Sequence, residues 1–170
     1  MRILGVSVVA VFFFVGVTKA QAPPAQPYGN LAQVMRGMLF PNANILFDVQ
    51  THDPAAPKKA ETGDSVSATF SNIYTGWQVV ENSALLLAES ANLIMMPGRR
   101  CENGRAVPIQ RADYQKAAQE LVVASRAMYK AAQSKNRELA SDATNDVAGA
   151  CENCHSVYRD KTPGSPRCEP

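Results

Sequence analysis

Apolar residues recur with the period of an α-helix in four separate segments, and no strand-like alternation of useful length interrupts them. Leu31, Val34, Met35, Met38 and Leu39 fall at i, i+3, i+4, i+7 and i+8, a spacing that puts them on one helical face. Pro41 should break or kink that helix, since it lacks an N–H and its ring clashes with the turn before it. Ile45, Leu46 and Phe47 resume the apolar content, and residues 48–64, with Pro54, Pro57 and Gly63, read as a surface loop. A second helix is expected from Ser65 to Met96, its stripe running through Phe70, Ile73, Tyr74, Trp77, Leu87 and Ile94, with Pro97-Gly98 as the stop. A third runs from Ile109 or Asp113 to Lys135, carrying Tyr114, Ala117, Leu121, Ser125, Met128 and Ala132. The fourth runs from Arg137 to Asp160, carrying Val147, Ala148, Cys151, Cys154, His155 and Tyr158. Four amphipathic helices imply an all-α, antiparallel up-down four-helix bundle. In that topology the start of the first helix, the 97–108 loop and the end of the fourth helix meet at one pole.

The chain has 170 residues, with 17 Lys and Arg against 15 Asp and Glu. Both excess charges, Arg2 and Lys19, lie in the first twenty residues, so the remainder balances at 15 against 15. A neutral remainder argues against nucleic acid or an anionic membrane as the main partner. The opening segment has the layout of a secretory signal: a basic start, an apolar run from Ile3 to Val17, then Thr18-Lys19-Ala20 with small residues at the cleavage positions. The run is short for a bilayer span, which needs about 20 apolar residues. The expected organisation is therefore a cleaved leader over 1–20, a flexible Pro-rich segment over 21–30, the bundle over 31–160 and an irregular tail over 161–170. An exported, periplasmic protein with no membrane span after cleavage follows, and spare thiols would tend to pair there.

The most specific string is Cys151-Glu152-Asn153-Cys154-His155. C-x-x-C-H is an attachment signature for c-type haem: two thiols add to the porphyrin vinyl groups and the adjacent imidazole gives iron an axial nitrogen. On a helix, residues three and four apart share a face, so both thiols and the imidazole would look the same way. Other chemistries fit less well. A thioredoxin-like C-x-x-C should open a helix after a strand, whereas this one lies near the end of a helical stripe. A zinc site could draw on Cys101, Cys151, Cys154 and His155 or Cys168, but the ligand spacing is not that of a zinc module. A disulfide across C-x-x-C inside a helix would be strained.

With these residues in view, the chain resembles the class II c-type cytochromes, the cytochrome c prime family. The shared features are a leader, four helices and an attachment motif near the C-terminus. The string Cys151-x-x-Cys154-His155-x-x-Tyr158-Arg159 matches the family's C-terminal pattern, and Leu31-Ala-Gln-Val-Met35-Arg-Gly-Met38 resembles its first-helix segment. The segment Leu39–Asn44, the 97–108 loop with Cys101 and the tail with Cys168 depart from it. The resemblance implies one covalent haem c, with either a first-helix methionine or no protein group opposite His155. Met35 stands at the family's ligand position, with Met38 as the alternative and Met95 and Met96 near the same pole. It further implies that Arg159 lies beside the haem, where its charge would favour Fe(II). Arg36, Arg99 and Arg100 could meet the haem propionates or simply face solvent. His52 belongs to the far pole. Redox partner proteins are the expected partners, and a homodimer through the first two helices is compatible with the family.

Cys101 and Cys168 fall at one pole of the bundle and would bridge, the alternative being two free or intermolecularly paired thiols. A one-electron carrier is the expected function, and a five-coordinate haem binding NO or CO is the competing one. No serine-type triad, paired-carboxylate arrangement or phosphate loop points to an enzyme.

Overall fold

The computed structural model describes residues 26–56 and 74–159, together with residue 168. Residues 1–25, with the expected leader, residues 57–73 and most of the tail lie outside the described residues, and with them Phe70, Ile73 and the expected start of the second helix. Among the described residues there are four helices and no strand, the arrangement of an all-α four-helix bundle. The first helix, α1, has three successive stretches: α-helical Leu31–Val34, π-helical Met35–Leu39 and α-helical Phe40–Asp48. Then come α2 (Trp77–Ile94), α3 (Ala112–Gln133) and α4 (Arg137–Tyr158). α2 packs on α3, α3 on α4, and α1 on both α2 and α4.

Each helix start has a local cause. Asn30 caps α1 with a capping box: its side chain accepts from Gln33 N–H while the Gln33 side chain accepts from Asn30 N–H. Asn136 caps α4 by accepting from Leu139 N–H. α2 begins at Gly76, whose φ is +61° and whose missing Cβ would stand 2.8 Å from the Pro54 carbonyl oxygen. A side chain there would be strained and would collide with backbone. Tyr74, expected on the apolar stripe, therefore precedes the helix and is 61% exposed. Pro41 neither breaks nor ends α1. The helix widens into the π-helical turn just before it and continues beyond it.

The core runs the length of the bundle, through Leu46, Val80, Leu87, Met128 and Val147. At one end Arg137 donates to the carbonyls of Val49 (3.0 Å) and Gln50 (2.9 Å), and Gln50 Nε2 donates to Thr144 Oγ1 at 2.7 Å. These bonds lock the end of α1 to the start of α4. At the other end Leu31 N–H donates to Arg100 O at 2.8 Å. Arg99, expected at the surface, is only 5% exposed there. It donates to Leu93 O (2.7 Å) and Gly29 O (2.6 Å), joining the end of α2 to the chain entering α1. A guanidinium suits this place because its fork of N–H groups can serve several carbonyls at once.

Leu46 is wholly buried on α1. Leu46→Ala should lower the unfolding free energy by about 3 kcal/mol, as large-to-small core substitutions do, read as a lower urea midpoint with unchanged slope.

Candidate functional site

The fourth helix brings the residues of the C-x-x-C-H string to a cavity. Cys151, Cys154 and His155 share one side of its last two turns, and all three line a pocket of about 840 Å³. That volume falls within the range of pockets that hold a large ligand, about 300–1,000 Å³. Opposite them, α1 contributes Leu31, Met35, Leu39 and Phe47, and the floor includes Leu87 of α2 with Ala117 and Leu121 of α3. The wall is mainly apolar, with Arg36, Glu102 and Arg159 among its polar members. Arg36 and Glu102 pair at 2.8 Å.

Cys151 and Cys154 are free thiols. Burial pushes both above the usual thiol range, Cys154 up to about 11, while the charge of Arg159 acts downward on Cys151. Raised values are the opposite of what a thioredoxin-like nucleophile needs, and the motif sits at the end of a helix rather than its start. Cys101 and Cys168 form a disulfide with Cα atoms 6.4 Å apart, which removes two ligands from the zinc alternative. Among the described residues no group of three or more His, Cys, Asp or Glu side chains converges as a metal cage. A long apolar pocket with two free thiols and one imidazole on the same wall is a donor set that fits a haem held by thioether bonds.

The methionines separate cleanly. Met35 lines the pocket, facing it across from α4, whereas Met38, Met95 and Met96 do not line it. Met38 packs against the main core instead, and the Met96 sulfur lies 3.7 Å from Arg99 Nη2. Arg159 lines the pocket, Arg100 donates to Gly104 O beyond it, and Arg99 is spent on the carbonyls described above. His52 stands at the far end, with Nδ1 2.6 Å from Asp48 Oδ1.

A polar cluster that residue patterns did not signal braces the pocket end. Tyr158 O–H donates to Asp113 Oδ1 at 2.7 Å and accepts from Arg111 Nε at 3.2 Å. Arg111 also grips both oxygens of Asp113, at 3.0 and 2.8 Å. Asp113 opens α3, where a negative charge also meets the favourable end of the helix dipole. The Tyr114 ring meets that of Tyr158 edge-on at 5.2 Å, and its O–H donates to Ile94 O at 3.3 Å. Tyr158 O in turn accepts from Cys168 N–H at 2.9 Å. The ends of α2 and α4, the start of α3 and the disulfide thus close on one small second core. The spacing of Asp113 and Tyr158, 45 residues apart, leaves no periodic trace that could have foretold it.

Residues 101–159 match the model of the cytochrome C' family. No curated protein and no solved structure gives a match. Among the described residues no helix is long and apolar enough to cross a membrane.

Two outcomes follow from the brace. The Cys101–Cys168 bridge closes a separation of 67 residues, so the double Ser variant should lose about 4 kcal/mol in the chain-entropy account, measured by denaturant unfolding with and without reductant. The Arg111 guanidinium and the Tyr158 hydroxyl hold the Asp113 carboxyl well below the usual carboxylate range. Its stabilisation is therefore complete above the unfolded-state pKa of about 4 and drains away as pH falls further. Asp113→Asn should remove that share of the acid-induced loss, seen as a flatter dependence of melting temperature on pH below about 4.

Proposed function

We propose that this chain, a class II c-type cytochrome by its matched segment and its four-helix bundle, carries one haem c on Cys151 and Cys154, with His155 and Met35 as axial ligands, and serves as an exported one-electron carrier in the periplasm. The observation that carries the reading is the placement of Met35. It is the methionine of α1 that faces the pocket from the wall opposite His155. The haem supplies the iron that accepts and returns one electron; the chain's own residues do the rest. Cys151 and Cys154 anchor the porphyrin to α4, and His155 gives a ring nitrogen to the metal. Met35 gives a soft, neutral thioether, which raises the potential. Arg159, on the same wall, places a positive charge that favours the reduced state. Leu39, Phe47, Leu87 and Leu121 keep water from the pocket, while Phe40 stays exposed at its mouth. Outer-sphere transfer of this kind needs no catalytic acid or base, and we read the protein as a carrier rather than an enzyme. The leader-like segment over 1–20 supports export, and docking to redox partner proteins would use the pocket mouth.

A second reading has one specific support: the family's usual iron centre is five-coordinate. It makes the protein a binder of NO or CO. The two readings part on spectra of the matured protein. Met35 ligation predicts a low-spin ferric haem with the weak red charge-transfer band of methionine coordination, lost in Met35→Ala with a lower potential and kept in Met38→Ala. A broad high-spin ferric spectrum with rapid CO uptake by the ferrous form would establish the second reading. Cys151→Ser/Cys154→Ser should leave no pigment resistant to acid acetone, and a wild type without a Soret peak would dismiss both.

A further inference from the structure

Two neighbouring four-residue rows of α1 line the pocket: the more buried Leu31, Met35, Leu39, Ala43 and Phe47, and beside them Ala32 with the exposed Arg36, Phe40 and Asn44. An α-helix turns about 100° per residue, so a four-residue repeat drifts about 40° at every step. Over the whole row an unbroken α-helix would carry the last side chain about 160° from the first. The π-helical turn at Met35–Leu39 lies in the middle of the row, with Phe40 N–H donating to Met35 O. It spends an extra residue on one turn and recovers part of the drift at the step from Met35 to Leu39.

Pro41 follows that turn at once. In an α-helical register its ring would press on the carbonyl of Gly37; the wider turn spreads the carbonyls there. Asn42 Nδ2 donates to Met38 O at 2.7 Å, satisfying one of them. Gly37 is exposed, and a Cβ added to it would meet nothing within 4 Å, so no packing depends on that position.

We infer that Pro41 is a positioning residue: by excluding the α-helical register through residues 37–41, it maintains the π-helical turn that keeps Met35 facing His155 across the pocket. The inference rests on the reading of Met35 as the iron's ligand. If the same residues formed an unbroken α-helix, Leu31–Arg36 would rotate by about 100°, the turn of one residue, against Phe40–Asp48. Met35 would leave the more buried row, and Ala32 and Arg36 would take its place there. Removal of one residue from the turn would restore the original relation of the two flanks, because the turn holds one residue more than α-helical winding needs.

The test uses the matured protein in three forms: wild type, Pro41→Ala, and Pro41→Ala with Gly37 deleted. Far-UV circular dichroism and the Soret peak report folding and attachment, both expected in all three because attachment depends on α4. The red charge-transfer band and the midpoint potential report methionine coordination. Pro41→Ala should lose the band and show a lower potential, and the double variant should regain both. A Pro41→Ala protein with the band undiminished, or a double variant that does not regain it, overturns the inference. Where Pro41→Ala alone does not fold, the double variant still decides, since recovery of the band supports the inference and its absence overturns it. A wild type with a Soret peak but no band overturns Met35 ligation, and this inference with it. A wild type with the band, beside a Pro41→Ala form that keeps it, overturns this inference alone.

Discussion

Three side chains on the last two turns of α4, Cys151, Cys154 and His155, line a cavity that the other three helices also border. In an ordinary bundle the apolar stripe of a last helix is covered by its partners. Here the stripe is covered at Val147, and from Ala148 and Ala150 onward it borders the cavity, along Cys151, Cys154 and His155. Everything around the pocket follows from the need to surround that volume without filling it. α1 lines it with an extended row of side chains. α2 and α3 contribute Leu87, Ala117 and Leu121 as a floor. The small residues Ala117 and Ala43 stand where bulkier ones would fill the space.

Keeping such a volume open weakens the packing at one end, and the molecule meets that with polar and covalent ties. The far end is joined by Arg137 and Gln50 through backbone carbonyls and Thr144. The pocket end has Arg99 across two carbonyls, the Asp113–Arg111–Tyr158 cluster, and the Cys101–Cys168 bridge. The buried members of these ties are Arg99, Thr144 and Tyr158; such groups are stabilising only when satisfied, and each has a partner on another element. The brace reaches Tyr158, three residues beyond His155 on the same helix. The geometry of the last turn of α4 therefore does not depend on apolar packing alone.

How much of this could be read beforehand depends on whether the signal was local. α3 and α4 were legible because long periodic stripes survive burial unchanged, and Tyr114, Leu121, Met128 and Val147 are buried as their spacing implied. The C-x-x-C-H string stands out because it is compact in sequence, and the helix brings its three side chains to one pocket. The start of α2 was misjudged because Tyr74 continues the stripe while Gly76, two residues on, forbids an ordinary helical entry. Pro41 was read as a break because a π-helical turn leaves no compositional trace. Arg99 looked like a surface cation, since nothing nearby in the chain announces that Gly29 and Leu93 carbonyls will meet it. The Tyr158 cluster joins residues too distant for any pattern to connect.

The four thiols pose a sorting problem. Four cysteines can pair in three ways, and only the union of Cys101 with Cys168 leaves both thiols of the C-x-x-C-H string free. All four line the pocket, but in the folded chain Cys101 and Cys168 are buried and bonded to each other in the small core with Tyr114 and Val107, while Cys151 and Cys154, only partly buried on α4, stay free. Correct oxidation therefore requires that the ends of α2, α3 and α4 have already come together. A chain oxidised before that point risks drawing Cys151 or Cys154 into a bridge that the folded protein does not have.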